Sequence, residues 1–171
     1  HIGRPEIVTQ KRVVDFFQTK LRYNYIGNLK DRENRNIDED KLIAWLTKHG
    51  YSKSIAVRAV EELVKAATNL QDGLYAANRE VYRLLKYGAK IKENADENET
   101  TVYFVDWETP GENLFEIAEE VTVVANNEKR PDLVVYLNGI AVAVIELKKS
   151  TVSVSNGIRQ NLTNQREMFI E

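Results

Sequence analysis

Apolar residues recur at helical spacing through the first half of the chain. Between Thr9 and Arg22 the apolar set Val13, Val14, Phe16, Phe17 and Leu21 predicts a helix with a wide buried stripe, with Thr9 as its N-cap. Tyr23 to Gly27 reads as a short strand, and LKDRENRN after it as a polar loop. Asp38 caps a predicted helix through Lys48, with Leu42, Ile43, Trp45 and Leu46 inward and Gly50 as terminator. Ser54, or Ser52 before it, opens another helix to about Asn69 that carries Val57, Val60, Leu63 and Val64. Asp72 caps a third, running through Leu85 and stopped at Gly88.

Beyond Gly88 the period shortens. Ala89 to Glu93 and Thr100 to Trp107 read as two strands around the acidic turn NADENE, and Glu108 to Asn113 is a connection holding Pro110 and Gly111. Leu114 to Val124 is ambiguous, since EIAEE suits a helix and VTVV a strand. Arg130 to Ser150, RPDLVVYLNGIAVAVIELKKS, is an apolar hairpin with Asp132 at its entrance and Glu146-Leu147-Lys148 at its exit. Charges on strands covered on both faces are costly unless paired or holding a metal. Two carboxylates and a lysine at one sheet end therefore form a candidate site for metal-assisted phosphodiester cleavage.

The turn decides whether those side chains meet. Asn138-Gly139 is a strong hairpin signal. Side chains alternate along a strand, so Glu146 and Lys148 share a face and Leu147 points away. A two-residue loop pairs Leu137 with Ile140 and Asp132 with Ile145, which puts Asp132 on the wrong face. A three-residue loop, Leu137-Asn138-Gly139, pairs Tyr136 with Ile140 and Asp132 with Val144. Asp132 then lies diagonally from Glu146, roughly 7–8 Å away at Cα. The expectation is an odd-length loop, or a compensating bulge.

Pro131-Asp132 followed by Glu146-Leu147-Lys148 resembles the PD-(D/E)xK nuclease signature. The wider string RPD…NGIAVAVIELKKS, with Val154-Ser155-Asn156-Gly157-Ile158-Arg159-Gln160-Asn161 after it, is similar to the nuclease domain of the R subunit of type I restriction-modification enzymes. The similarity is close from Arg130 to Glu171 and looser before it. It favours a strand over the ambiguous segment. It implies an α/β (mixed α+β), restriction-endonuclease-like fold, in which a mixed central sheet is flanked by helices. On that reading residues 1–171 form one endonuclease domain, with a helix-rich part over 1–88 packing on a sheet core over 89–171. The resemblance implies Mg²⁺ held by Asp132, Glu146 and the Leu147 carbonyl, with Lys148 positioning or activating water. A further family motif, Q-x-x-x-Y, is met at Gln160 but has Asn164 in place of tyrosine. Gln160 and Asn164 share a helical face and are candidate DNA contacts, with Gln165 as a rival. Lys149 and Arg159 join them, the latter with Arg166. Glu6, Glu80, Glu116 and Glu119 are candidates for an additional acidic group.

The chemistry is coherent with that set. Two hard carboxylates leave Mg²⁺ open positions for water and phosphate oxygens, and a lysine beside them stabilises charge gathering on the phosphate. The bland alternative is an aspartate capping a strand and two lysines on a solvated strand end.

Composition sets further bounds. With 171 residues, 43% of them hydrophobic, the chain can bury a sizeable core. It has no cysteine, which excludes disulfides and thiolate metal sites and suits a reducing cytoplasm. No stretch of about 18 apolar residues predicts a membrane span. A net charge of −2 and a pI near 5.9 are unlike a free-standing DNA-binding module, although local basic clusters such as Lys11-Arg12 and Lys20 with Arg22 remain. The two histidines, His1 and His49, offer no metal or triad chemistry.

No G-x-x-x-x-G-K-[ST] loop occurs, so ATP enters only through the larger subunit that the resemblance implies. That subunit would couple ATP-driven DNA translocation to double-strand cutting, beside methylation and specificity subunits, with this chain as its N-terminal fragment. Two alternatives stand next to this expectation. One is another PD-(D/E)xK nuclease of DNA repair or resolvase type. The other is a catalytically silent docking domain that binds partner subunits.

Overall fold

The run Leu133–Leu137 (LVVYL) forms a strand whose residues Leu133, Val134, Val135 and Tyr136 are all buried, so both of its faces are covered. A computed structural model describes residues 6–31, 34–93, 98–124, 128–147, 158–159 and 162. The elements in chain order are α1 (Glu6–Thr19), β1 (Asn24–Asn28), α2 (Glu39–Lys48), α3 (Lys53–Thr68), α4 (Leu74–Tyr87), β2 (Ala89–Ile91), β3 (Thr100–Val102), a 3₁₀ turn (Pro110–Glu112), β4 (Phe115–Glu119), β5 (Val123–Val124), β6 (Glu128–Lys129), β7 (Leu133–Leu137) and β8 (Ile140–Ile145). The fold is α/β, with four helices and a mixed sheet among the described residues. The chain divides into two compact units, one of His1–Asn36, Phe115–Leu137 and Ala141–Glu171, the other of Ile37–Leu114 with Asn138–Ile140.

The first unit is built on a four-stranded sheet in the order β1-β4-β7-β8. β1 runs parallel to β4, and β4 pairs antiparallel with β7 from Phe115↔Leu137 to Glu119↔Leu133. Alternation sorts the side chains. Ile117 and Leu133 meet Val14 of α1 on one face, while Ala118, Val134 and Tyr136 pack with Leu29 and Val121 on the other. The EIAEE segment is thus a strand despite its helical composition. Ile117 and Ala118 are each wholly buried on opposite sides, which a strand between two covered faces provides and local propensity does not.

The second unit packs α2, α3 and α4 with the β2–β3 hairpin around Leu42, Leu46, Leu63, Leu84, Val102 and Phe104, all fully buried. Each such leucine stabilises the fold by about 1.5–3 kcal/mol. The Asp38 carboxylate caps α2 by accepting from the Lys41 amide, and the Ser52 hydroxyl caps α3 by accepting from Ile55. Two expected caps are displaced. Thr9 lies inside α1, which begins at Glu6, and Ile7 and Val8 gave no stripe signal because both are exposed. Asp72 is one residue too early, since α4 starts after Gly73, whose φ of 82° only glycine adopts freely.

The hairpin turn differs from the odd-length loop. Asn138 and Gly139 alone join β7 to β8, with φ of 54° and 88°, a two-residue type I′ turn. The fully buried Asn138 side chain explains the choice. Its Oδ1 accepts from the Leu114 amide at 2.7 Å, and its Nδ2 donates to the Phe104 carbonyl and the Asn113 Oδ1, both at 2.9 Å. A longer loop would carry that side chain off these partners and leave buried polar groups unpaired.

Replacing Asn138 therefore costs more than a turn residue usually does. Asn138→Ala is expected to destabilise the fold by about 2–4 kcal/mol through lost partners and left-handed strain, read as a lower denaturant midpoint at unchanged slope. Asn138→Gly removes only the strain component and should recover about 1 kcal/mol of that loss.

Candidate active site

With an even loop, regular strands would leave Asp132 and Glu146 on opposite faces. β8 is not regular. Ala141 packs on the Val134–Tyr136 side of the sheet, whereas Ile145 and Leu147 pack on the Ile117–Leu133 side. Residues four apart share a face in a period-two strand, so β8 takes one irregular step between Ala141 and Ile145. Val142, Ala143 and Val144 are all exposed across that interval instead of alternating. The step replaces the loop as the compensating irregularity. Glu146 follows it, half-buried between Ile145 and Leu147.

Asp132 continues the β7 ladder, because its carbonyl accepts from the Glu120 amide at 3.0 Å beside the Glu119↔Leu133 pair. Alternation places it on the Val134 side. Its Oδ2 accepts from the Leu147 amide at 2.6 Å, a short charge-assisted bond that joins entrance and exit of the hairpin. Asp132, Glu146 and Leu147 are each half-buried there. Of the remaining proposed residues, Arg159 is exposed and helical, and Lys148, Lys149, Gln160, Asn164, Gln165 and Arg166 lie outside the described residues.

The candidate additional acids separate on register. Glu116 is buried opposite Tyr136, four residues along the ladder from Asp132 and so about 13 Å away. Glu119 lies on the Leu133 face and accepts from the Tyr25 hydroxyl. Glu80 is ion-paired with Arg83 at 2.7 Å on α4, in the second unit. The side chain of Glu6 lies outside the described residues. Among the described residues no group of three or more histidine, cysteine or acidic side chains is gathered for a metal. Two carboxylates and a backbone carbonyl remain, a hard oxygen set that suits Mg²⁺ completed by water.

Two neighbours of Asp132 had no clear signal in the sequence. Gln10 of α1 is buried, and its Nε2 stands 3.5 Å from the Asp132 carbonyl, the outer limit of a hydrogen bond. Glu120, at φ 50°, pairs with Arg130 at 2.8 Å and so ties the start of the RPD segment to the end of β4. Only the RPD spacing pointed toward such an arrangement.

Residues 4–170 match the family described as Type I restriction enzyme R protein N terminus, and the chain belongs to that family. It is 30% identical over 129 residues to the endonuclease subunit assigned to the type I restriction enzyme MjaIXP in Methanocaldococcus jannaschii, a match covering 68% of this chain and 12% of that protein. It is also 30% identical over 95 residues to the type I restriction enzyme HindI endonuclease subunit of Haemophilus influenzae, covering 53% of this chain and 9% of that one. The matched region is about a tenth of each relative's length. No helix among the described residues is long and apolar enough to cross a membrane.

The Tyr25–Glu119 bond gives the sheet a pH signature. Burial, then the hydrogen bond and the charge of Glu119, push the Tyr25 hydroxyl up from 10.0 to about 12. The unfolded tyrosine ionises first, so the contribution is complete below the unfolded value and is lost as pH rises through the folded one. Tyr25→Phe is expected to lower the unfolding midpoint at neutral pH, and the gap from the parent should close toward pH 12.

Proposed function

We propose that this chain is the Mg²⁺-dependent DNA-cleaving domain of a type I restriction R subunit. The observation that supports this reading is the Leu147 amide bonded to the Asp132 carboxylate, which joins the Asp of the signature to the residue after Glu146. Asp132, Glu146 and the Leu147 carbonyl would hold the ion. When bound, Mg²⁺ lowers the pKa of a coordinated water and offsets charge on the scissile phosphate.

The chain's own residues set the geometry. The bond to Leu147 fixes the Asp132 carboxylate, and half-burial keeps both carboxylates in a medium where their charge acts strongly. Lys148 follows Leu147 directly and supplies the cation that orients the attacking water and stabilises the phosphate oxygens. DNA is the substrate, and the cut needs no sequence reading by this chain. In the whole subunit, ATP-driven translocation delivers the DNA, and methylation and specificity subunits choose the target. The lack of cysteine accords with work in a reducing cytoplasm.

Asp132→Ala and Lys148→Ala, each built into the full-length subunit and assembled with its partners, are expected to lower double-strand cleavage by at least about a hundredfold while ATPase stays normal. Retained cleavage in both variants would overturn the assignment.

A further inference from the structure

α4 carries a second pattern that the carboxylate site does not use. Leu84 and Ala77 point into the core of the second unit, and the opposite side of the helix presents Tyr75, Arg79, Tyr82 and Lys86. These stand at i, i+4, i+7 and i+11, within about 60° of arc, so ring and cation alternate along one stripe. Tyr75 is 80% exposed and Tyr82 is 62% exposed. Lys86 Nζ sits 5.8 Å from the Tyr82 ring centroid and 5.1 Å from that of Tyr87, which is itself exposed. Trp107, 60% exposed, is pinned to the end of the helix by its indole N–H donating to the Leu85 carbonyl at 3.0 Å. Large aromatic rings are seldom left in water together without a partner to cover them.

Charge identifies the partner. The chain as a whole carries −2, yet this stripe holds only cations, and Glu80, the one acid within α4, is paired with Arg83. Protein–protein interfaces are depleted in lysine at their centres, whereas Lys86 lies between two of the rings. Duplex DNA offers its phosphates to cations but keeps its base faces stacked, so it would leave the tyrosines uncovered. Single-stranded DNA supplies both open base faces and phosphates. Tyr75 and Tyr82 are about 10.5 Å apart along the axis, room for bases to lodge on separate rings.

We propose that the Tyr75–Arg79–Tyr82–Lys86 stripe of α4, with Tyr87 and Trp107 at its end, binds single-stranded DNA by stacking bases on its rings and holding phosphates on its cations. The inference deepens the nuclease reading and rests on DNA being the substrate, but binding here is separable from cutting. It assigns the second unit a strand-holding role that the carboxylate site does not require.

The test titrates the full chain with a single-stranded oligothymidylate, and with its duplex on oligodeoxyadenylate, in chelator so that no hydrolysis enters. Trp107 fluorescence reports the stripe, since the other tryptophan, Trp45, is buried. The parent should bind the single strand more tightly than the duplex and quench Trp107. Tyr75→Ala and Tyr82→Ala should each weaken binding about tenfold, while Tyr82→Phe stays near the parent. Arg79→Gln with Lys86→Gln should lower the salt slope by about 1.4. These positions are exposed, so an unchanged thermal melt certifies the variants as folded. No binding of the single strand would overturn the proposal, as would alanine variants that bind like the parent. Equal affinity for duplex with no tyrosine effect would also overturn it and leave the stripe to a protein partner. A chain that binds the strand this way, while the full subunit cuts normally without Asp132, would sink the nuclease assignment and leave this one standing.

Discussion

The hydrogen bond from the Leu147 amide to the Asp132 carboxylate is the contact on which the candidate site depends. Asp132 precedes β7 and Leu147 follows β8, so their meeting requires the whole hairpin to be in one register. An ionised carboxylate half-removed from water needs a donor, and the backbone amide at the exit of β8 is that donor. Everything upstream serves this closure. β4 supports β7 along five consecutive pairs, α1 covers the Leu133 face, and the irregular step in β8 brings Ile145 and Leu147 onto that same face.

The compensation has a physical logic. The turn cannot lengthen, because Asn138 is held by four bonds through its side chain and its own amide, which donates to the Leu114 carbonyl at 2.8 Å. Gly139 is equally constrained, since a Cβ there would stand 3.0 Å from the Asp38 carbonyl oxygen. Parity is therefore corrected where the chain has freedom, in the exposed stretch Val142 to Val144. A bulge on an edge strand next to a functional site re-aims a side chain at low cost, and past the Ile37–Ile140 bridge β8 ends the strand order of its sheet.

Much of this was legible beforehand, and the exceptions share a cause. Asp38 and Ser52 announced α2 and α3 because capping is local chemistry between a side chain and an amide three residues on. Gly88 marks the end of α4 for a similar reason: with φ of 78° its amide donates to the Leu84 carbonyl four residues back. The spacing of Asp132 and Glu146-Leu147-Lys148 drew attention to the hairpin. The choice between an odd loop and a compensating irregularity is not legible locally, because the deciding partners of Asn138 lie 24 to 34 residues away in sequence. Gln10 and Glu120 carry no sequence signal as neighbours of the site for the same reason: their contacts are tertiary. The α4 stripe is not legible from periodicity, since the apolar pattern marks the core face of Ala77 and Leu84 and not the solvent face of Tyr75 and Tyr82.

The central claim is that Asp132 and the Glu146-Leu147 segment form one divalent-cation site. It is tested most directly by titrating the chain with Mn²⁺ in place of Mg²⁺ and following backbone amides by NMR. Selective paramagnetic broadening of Asp132, Glu146 and Leu147 is expected at low metal, abolished by Asp132→Asn in a chain that remains folded. Broadening that spares these three amides, or that persists unchanged in Asp132→Asn, would contradict it.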